Sequence, residues 1–207
     1  GEILAENTVR SSVARMLGIE AAGLTAPDAR VDGIVEVTLD ATTRYTQPLT
    51  PKRLFGWHKA LFPGPSNLTI GAWRDDKQGP MQVVSNSLSN PKVHYVAPAA
   101  ERLETEMAAF LAWDAAEQGL DPVIKAGLAH LWFVMIHPFD DGNGRIARAI
   151  TDMALARSEQ SAQRFYSMSA QIRQERATYY DVLERTQKGT MDITPWMDWF
   201  LGCLGRA

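Results

Sequence analysis

The chain has 207 residues, of which 45% are hydrophobic and 22% charged, with a formal net charge of −3. That is enough apolar side chain for one globular domain, or a domain with a small extension, and too little positive charge for a general nucleic-acid binder, which shows a basic surplus or stripe. The lone cysteine, Cys203, cannot form an internal disulfide and fits a reducing, cytoplasmic setting; no signal peptide is evident, and the longest apolar stretch, around residues 131–136, is too short for a membrane span.

The first residue is Gly1 rather than Met, which reads as a fragment or a processed chain. Asn7 is placed to cap a helix through Leu17, with Val9, Val13, Met16 and Leu17 on one face. Residues 21–30 read as a small-residue linker containing Gly23 and Pro27. Residues 31–45 carry two signals. The valines favour a strand, but Ile34, Val35, Thr38 and Leu39 have helical spacing, and a helix is predicted. Thr50-Pro51 is a helix start, with Leu54, Trp57, His58 and Leu61 forming its apolar face and Pro63-Gly64-Pro65 stopping it. Two β-prone runs come next, Met81-Gln82-Val83-Val84 and Val93-His94-Tyr95-Val96, joined by a polar turn over Ser85 to Pro91, and together they predict a hairpin. A helix after Pro98 carries Leu103, Met107, Phe110 and Leu111. Asp121-Pro122 opens another, running to Ile136, that is apolar on nearly every side and should be central and buried. Further helices are expected from Gly142 to about Arg157, over about 169–187, and over 194–204. The fold class is mostly α: a helical bundle around a central buried helix, with one small β-hairpin.

The densest chemistry lies in residues 137–148, His-Pro-Phe-Asp-Asp-Gly-Asn-Gly-Arg-Ile-Ala-Arg. The start of a helix leaves N–H groups unpaired and carries partial positive charge, so Gly142-Asn143-Gly144 at a helix head is a cradle for phosphate. Arg145 and Arg148 share a helix face near that end and suit a polyphosphate. Asp141 alone would compete with phosphate for the cradle, a conflict that a bridging Mg²⁺ resolves. His137, with an ordinary pKa of about 6.5, is mostly neutral near pH 7 and able to accept a proton. Phe139, apolar among polar neighbours, is expected to pin the loop to the core. A calcium loop fails on register, because Arg148 would fall where a bidentate Glu is needed; a P-loop fails because no Gly-Lys-Ser/Thr comes after it; zinc ligands at helical spacing do not occur.

These residues resemble the signature of the Fic (filamentation induced by cAMP) family, His-x-Phe-x-Asp/Glu-Gly-Asn-Gly-Arg-x-x-Arg, at every fixed position: His137, Phe139, Asp141, Gly142, Asn143, Gly144, Arg145 and Arg148. The resemblance implies a core domain over residues 67–207, with residues 1–66 as a helical extension packed on it, as in a bacterial subfamily with an additional N-terminal domain. It further implies transfer of AMP from ATP to a Ser, Thr or Tyr hydroxyl of a protein substrate, which could be the enzyme itself. His137 would be the base and Asp141 the Mg²⁺ ligand. The Gly142–Gly144 backbone, helped by Asn143, would stabilise the transferred phosphoryl, and Arg145 and Arg148 would orient the β- and γ-phosphates. Met81, Gln82, Val83 and Val84 would form a target-docking flap acting by strand addition. Tyr179 and Tyr180 fall where family members line the adenine side, and both also fit a core position.

Many relatives carry an inhibitory helix, Ser/Thr-x-x-x-Glu-Gly/Asn, and this chain has no match to it. Gly1-Glu2-Ile3-Leu4 resembles the stretch directly C-terminal to that motif in the subfamily, which implies that the inhibitory Glu lies upstream of Gly1. The resemblance leaves a homodimer open and implies neither a nucleic-acid nor a membrane partner. Competing readings are removal of AMP, transfer of UMP or phosphocholine by the same site, and a non-catalytic nucleotide-binding regulator.

Overall fold

The computed structural model describes residues 6–19, 26, 28–84, 93–116 and 119–207. Among these, nine α-helices and one two-stranded sheet run in the order α1 (Glu6–Met16), α2 (Ala29–Thr43), α3 (Pro51–Leu61), β1 (Gln82–Val84), β2 (Val93–Val96), α4 (Leu103–Ala115), α5 (Pro122–Ile136), α6 (Asn143–Glu159), α7 (Met168–Gln174), α8 (Arg176–Lys188) and α9 (Thr194–Arg206). A single 3-10 turn, Ala100–Arg102, leads into α4. No helix among the described residues is long and apolar enough to cross a membrane.

Local chemistry sets the helix starts. Asp28 accepts from the N–H groups of Arg30 and Val31 and starts α2, so the helix over residues 31–45 forms and begins two residues early, inside the expected linker. Thr50 accepts from Arg53 N–H ahead of α3, and Asp121 from Val123 and Ile124 ahead of α5. In both, proline occupies the first turn, where its missing N–H costs nothing. The centre of the molecule is α5 packed on α6, with α4 and α9 against α5 and α2 against α6. Phe110, Phe133, Ile136, Ile146, Ile150, Met153, Trp196 and Phe200 are fully buried between them.

Two expectations change, and the hairpin forms as expected. Asn7 lies inside α1 rather than capping it, and the face α1 buries is Ser11 and Ser12, while Met16 is 37% and Leu17 56% exposed. That helix docks through polar contacts, with Arg15 Nη2 2.7 Å from Asp32 Oδ1 on α2, so its apolar spacing does not report its packing. The single helix over 169–187 is two, broken at Glu175. No glycine or proline marks that break; the Glu175 carboxylate is held there by Gln171 Nε2 at 2.6 Å and by Arg206 Nε and Nη2 of α9, each at 2.7 Å. The hairpin pairs antiparallel, Gln82 with Val96, Val83 with Tyr95 and Val84 with Val93, with an irregularity between Val83 and Val84. Its expected turn over Ser85 to Pro91, like Gly1-Glu2-Ile3-Leu4, lies outside the described residues.

Candidate active site

The six residues between α5 and α6 form the site's floor. His137 ends α5 in the left-handed conformation, φ 51°, which costs an L-residue about 1–2 kcal/mol. Its backbone is tied on both sides: its N–H donates to Phe133 O at 3.1 Å, and its carbonyl accepts from Arg74 Nε at 2.8 Å. The ring's Nδ1 lies 3.2 Å from Val134 O. A carbonyl can only accept, so Nδ1 carries the hydrogen and Nε2 keeps a bare lone pair. Burial pushes the imidazole pKa down to about 4, helped by the Arg74 charge and opposed by the Val134 carbonyl and Asp141. The ring is therefore neutral near pH 7.

The loop is braced by residues far from it in sequence. Arg74, only 3% exposed, donates to the carbonyls of His137 and Pro98 and pairs with Asp76 at 2.7 Å, while its own N–H donates to Pro138 O at 2.9 Å. Thr69 N–H donates to Asp140 Oδ2 at 2.8 Å. Phe139 is fully buried, stacked on His58 of α3 at 4.2 Å with ring planes 13° apart. His58 Nδ1 accepts from Gly71 N–H at 3.0 Å, which puts the ring hydrogen on Nε2, and Nε2 donates to the Asp141 carbonyl at 3.1 Å. Asn143 spends both ends of its amide on Phe139, donating to its carbonyl at 2.7 Å and accepting from its N–H at 3.0 Å. Whatever Asn143 offers an anion, it offers through its main-chain N–H.

Gly142 precedes α6 with φ 83° and no side-chain cap, so the N–H groups of the helix's first turn have no intrahelical acceptor. A Cβ at 142 would sit 2.9 Å from the ring of Phe62, so only glycine fits both the angle and the space. The side chain of Asp141 is 64% exposed at this mouth; one oxygen accepts from Gly142 N–H at 2.6 Å and the other lies 3.6 Å from Arg145 Nη2. No group of three or more His, Cys, Asp or Glu among the described residues could cage a metal. Mg²⁺ is commonly held by one or two carboxylates together with substrate phosphates, and a single exposed carboxylate beside an anion cradle fits that donor set. Arg145 sits over the Phe62 ring, Cζ 4.6 Å from its centroid. Arg148 lies one turn on along the same helix, its Nη1 3.6 Å from where a Cβ on Gly144 would be.

The remaining predicted residues separate. Tyr179 is buried in α8 and its hydroxyl lies 3.0 Å from His130 Nε2, whereas Tyr180 is 52% exposed with Arg176 5.6 Å over its ring. His130, fully buried with its pKa down to about 3, also meets Thr151 Oγ1 at 2.9 Å. Thr151 donates to Ala147 O, so it accepts from His130 Nδ1, and His130 Nε2 accepts from Tyr179. This relay locks α5, α6 and α8 together. In the hairpin, Gln82 and Val84 are exposed, Met81 and Val83 are partly buried, and the Met81 carbonyl accepts from Ala97 N–H at 3.0 Å. Strand β2 is clasped to the helices by Tyr95 Oη donating to Met135 O at 2.7 Å and by His94 Nδ1, 2.6 Å from Glu184 Oε2.

The bundle and its loop have known counterparts. A Fic family protein from Desulfovibrio desulfuricans superposes with a TM-score of 0.65 at 24% identity, covering 97% of this chain and 62% of that one. A Fic domain containing signaling protein from Bacteroides thetaiotaomicron gives 0.70 at 20% identity, covering 100% of this chain and 78% of that one. Both likenesses concern the fold. In sequence, the protein adenylyltransferase Fic of Nematostella vectensis is 36% identical over 115 residues, 55% of this chain and 25% of that protein. The protein of the same name from Culex quinquefasciatus is 34% identical over 115 residues, 55% of this chain and 21% of that protein. The chain thus spans a quarter or less of the length of these curated relatives. The model of the Fic/DOC family matches residues 48–155, more than half the chain and all of the loop between α5 and α6, and the chain belongs to that family.

Proposed function

We propose that this chain transfers AMP from ATP to a Ser, Thr or Tyr hydroxyl on a protein. The observation that carries the reading is the fixed tautomer of His137. Its Nδ1–H is spent on the Val134 carbonyl, so the bare Nε2 is the nitrogen left to take a proton, in the loop that leads into a helix whose first N–H groups lack intrahelical acceptors. The hydroxyl oxygen would attack the α-phosphorus as its proton passes to Nε2, the α–β bridging bond would break, and pyrophosphate would leave. The main-chain N–H groups of the α6 first turn would take the charge developing on the transferred phosphoryl, where losing one such donor typically costs about 2.7–4 kcal/mol. Arg145 and Arg148 would hold the β- and γ-phosphates, which turns the α-phosphorus towards the base. Asp141 is the carboxylate suited to Mg²⁺, which when bound would neutralise charge on the phosphates. The exposed Tyr180 is assigned to the adenine side and the exposed edge of β1 to the target segment. The names of the curated relatives support AMP transfer over the other nucleotide reactions.

The test uses ATP labelled at the α- or the γ-phosphate, incubated with the protein, Mg²⁺ and candidate protein substrates. Label at the α-position should move to protein and label at the γ-position should not. Movement of the γ-label would make the reaction a phosphorylation. Full transfer by His137→Ala would remove the base assignment.

A further inference from the structure

We propose that Phe62 is a positioning residue, holding the Arg145 guanidinium over the mouth of the α6 cradle and so setting how tightly the site grips the outer phosphates of a nucleoside triphosphate. The proposal rests on the phosphate reading of that cradle. Phe62 ends α3, its N–H donating to Lys59 O at 3.3 Å, and its ring reaches the α5–α6 loop. One edge of the ring meets His58 at 5.0 Å and a 62° interplanar angle. Its Cε2 lies 2.9 Å from the point where a Cβ on Gly142 would stand, so the ring walls the cradle directly. Its face carries Arg145, with Cζ 4.6 Å from the centroid.

Phenylalanine has no acceptor atom. The contact therefore draws the guanidinium by the ring's negative face and itself takes up none of its N–H donors in a conventional hydrogen bond. The Asp141 carboxylate, 3.6 Å from Nη2, competes for those same donors. That pair is 31% and 64% exposed, in the range where an ion pair contributes little. The ring supplies a hold that a phosphate need not displace. It comes from α3, which the family signature does not include.

The experiment compares wild type, Phe62→Leu and Phe62→Tyr. Leucine keeps an apolar side chain and removes the π face; tyrosine restores the face. Binding of ATP and of AMP is measured by calorimetry, the thermal midpoint by scanning calorimetry, and the Arg145 side-chain Nε–Hε resonance by NMR, assigned with Arg145→Lys. Phe62→Leu should weaken ATP binding about 3–10-fold, the scale of one cation–π contact, while AMP binding and the thermal midpoint stay at wild-type values. The Arg145 resonance should lose its ring-current shift, and Phe62→Tyr should restore both signals. Equal loss of ATP and AMP affinity in Phe62→Leu, or an unmoved Arg145 resonance, would overturn the proposal. Wild type binding ATP no tighter than AMP would instead overturn the outer-phosphate reading, and with it the grip assigned to Phe62, leaving the resonance to decide the ring contact alone.

Discussion

Arg74 and His137, 63 residues apart in sequence, meet through a 2.8 Å hydrogen bond from the guanidinium Nε to the histidine carbonyl. That bond holds the left-handed turn from which the imidazole projects. The same guanidinium also binds Asp76 and the Pro98 carbonyl, so one buried fork ties the loop to the segment entering α4. Arg74→Ala would leave two carbonyls and a carboxylate without their donor. Because Asp76 is partly exposed, the expected loss of stability is near the lower end of the about 3–5 kcal/mol typical of a broken buried pair. Arg74→Lys keeps the charge but not the fork and should recover only part of it. Urea unfolding reads the stability, and a transfer assay should fall with it even where the variant remains folded.

The two cradle glycines should respond in opposite ways. Gly142→Ala meets both a positive φ and the Phe62 ring, and should destabilise by about 1–2 kcal/mol from the backbone alone, with further loss from the clash. Gly144 is helical, and a Cβ there would meet only Arg148 Nη1 at an ordinary 3.6 Å. Gly144→Ala should stabilise the protein by about 0.5–1 kcal/mol and still weaken ATP binding, because the added methyl stands in the path of an approaching anion. Thermal unfolding together with ATP titration separates the two outcomes; unchanged ATP affinity in Gly144→Ala would place the phosphates elsewhere.

Asn143 is 2% exposed, and its amide closes a ring of hydrogen bonds with the Phe139 main chain. Asn143→Ala strips a donor and an acceptor from a buried segment, at about 1–3 kcal/mol for each group left unsatisfied. Asn143→Asp should be no better. Its carboxylate can still accept from Phe139 N–H but turns a second oxygen against the Phe139 carbonyl. Chemical denaturation of both variants checks this; a stable, well-folded Asn143→Asp would show that the amide's donor end carries little.

The part of the site legible in the sequence is the part contiguous in the sequence. Residues 137–148 name the base, the cradle and the arginines because a loop-to-helix turn keeps neighbours in chain neighbours in space. The helix starts at Thr50 and Asp121 are legible for the same reason, since each side chain acts on N–H groups two or three positions away; Asp28 acts likewise, but inside a stretch whose small residues and proline read as linker. The braces of the loop are not legible. His58 reaches Asp141 across 83 residues, and in α3 it carries the spacing of an ordinary apolar-face residue. Phe62 and Arg74 lie outside every pattern the sequence analysis singles out, and their contacts with the loop join residues far apart in the chain. No local pattern distinguishes a buried arginine from a solvated one. The break at Glu175 is hidden likewise, because Arg206, which pairs with the Glu175 carboxylate, lies on another helix.

Three buried or half-buried histidines should make the fold acid-sensitive. His58, His130 and His137 all have pKa values lowered by burial, His130 to about 3 and His137 to about 4. Unfolded, each takes a proton near its ordinary pKa of about 6.5, so below that pH the unfolded state binds more protons and stability falls as pH falls, by roughly 1.4 kcal/mol per unit for each group until its folded pKa is reached. Asp152 works against this. Burial raises it to about 6, so the folded state protonates first and gains stability as pH falls through that value. With three groups against one, the urea midpoint should drop between about pH 6.5 and pH 4. A midpoint constant across that window would mean the histidines are solvated.

The same low pKa sets the shape of the rate profile. A general base works only when unprotonated, and in the free protein burial holds His137 near 4. The acid limb of kcat/KM, which reports the free enzyme, should therefore fall near pH 4 rather than near the histidine's ordinary value of about 6.5. Bound triphosphate brings negative charge close to the ring, which favours the imidazolium and raises its pKa. The acid limb of kcat should accordingly sit at higher pH than that of kcat/KM. His137→Ala should lower kcat by about 10²–10⁴-fold and abolish both limbs, with ATP affinity retained. Coincident limbs at the ordinary histidine value would mean that the titrating base is exposed and is not this ring.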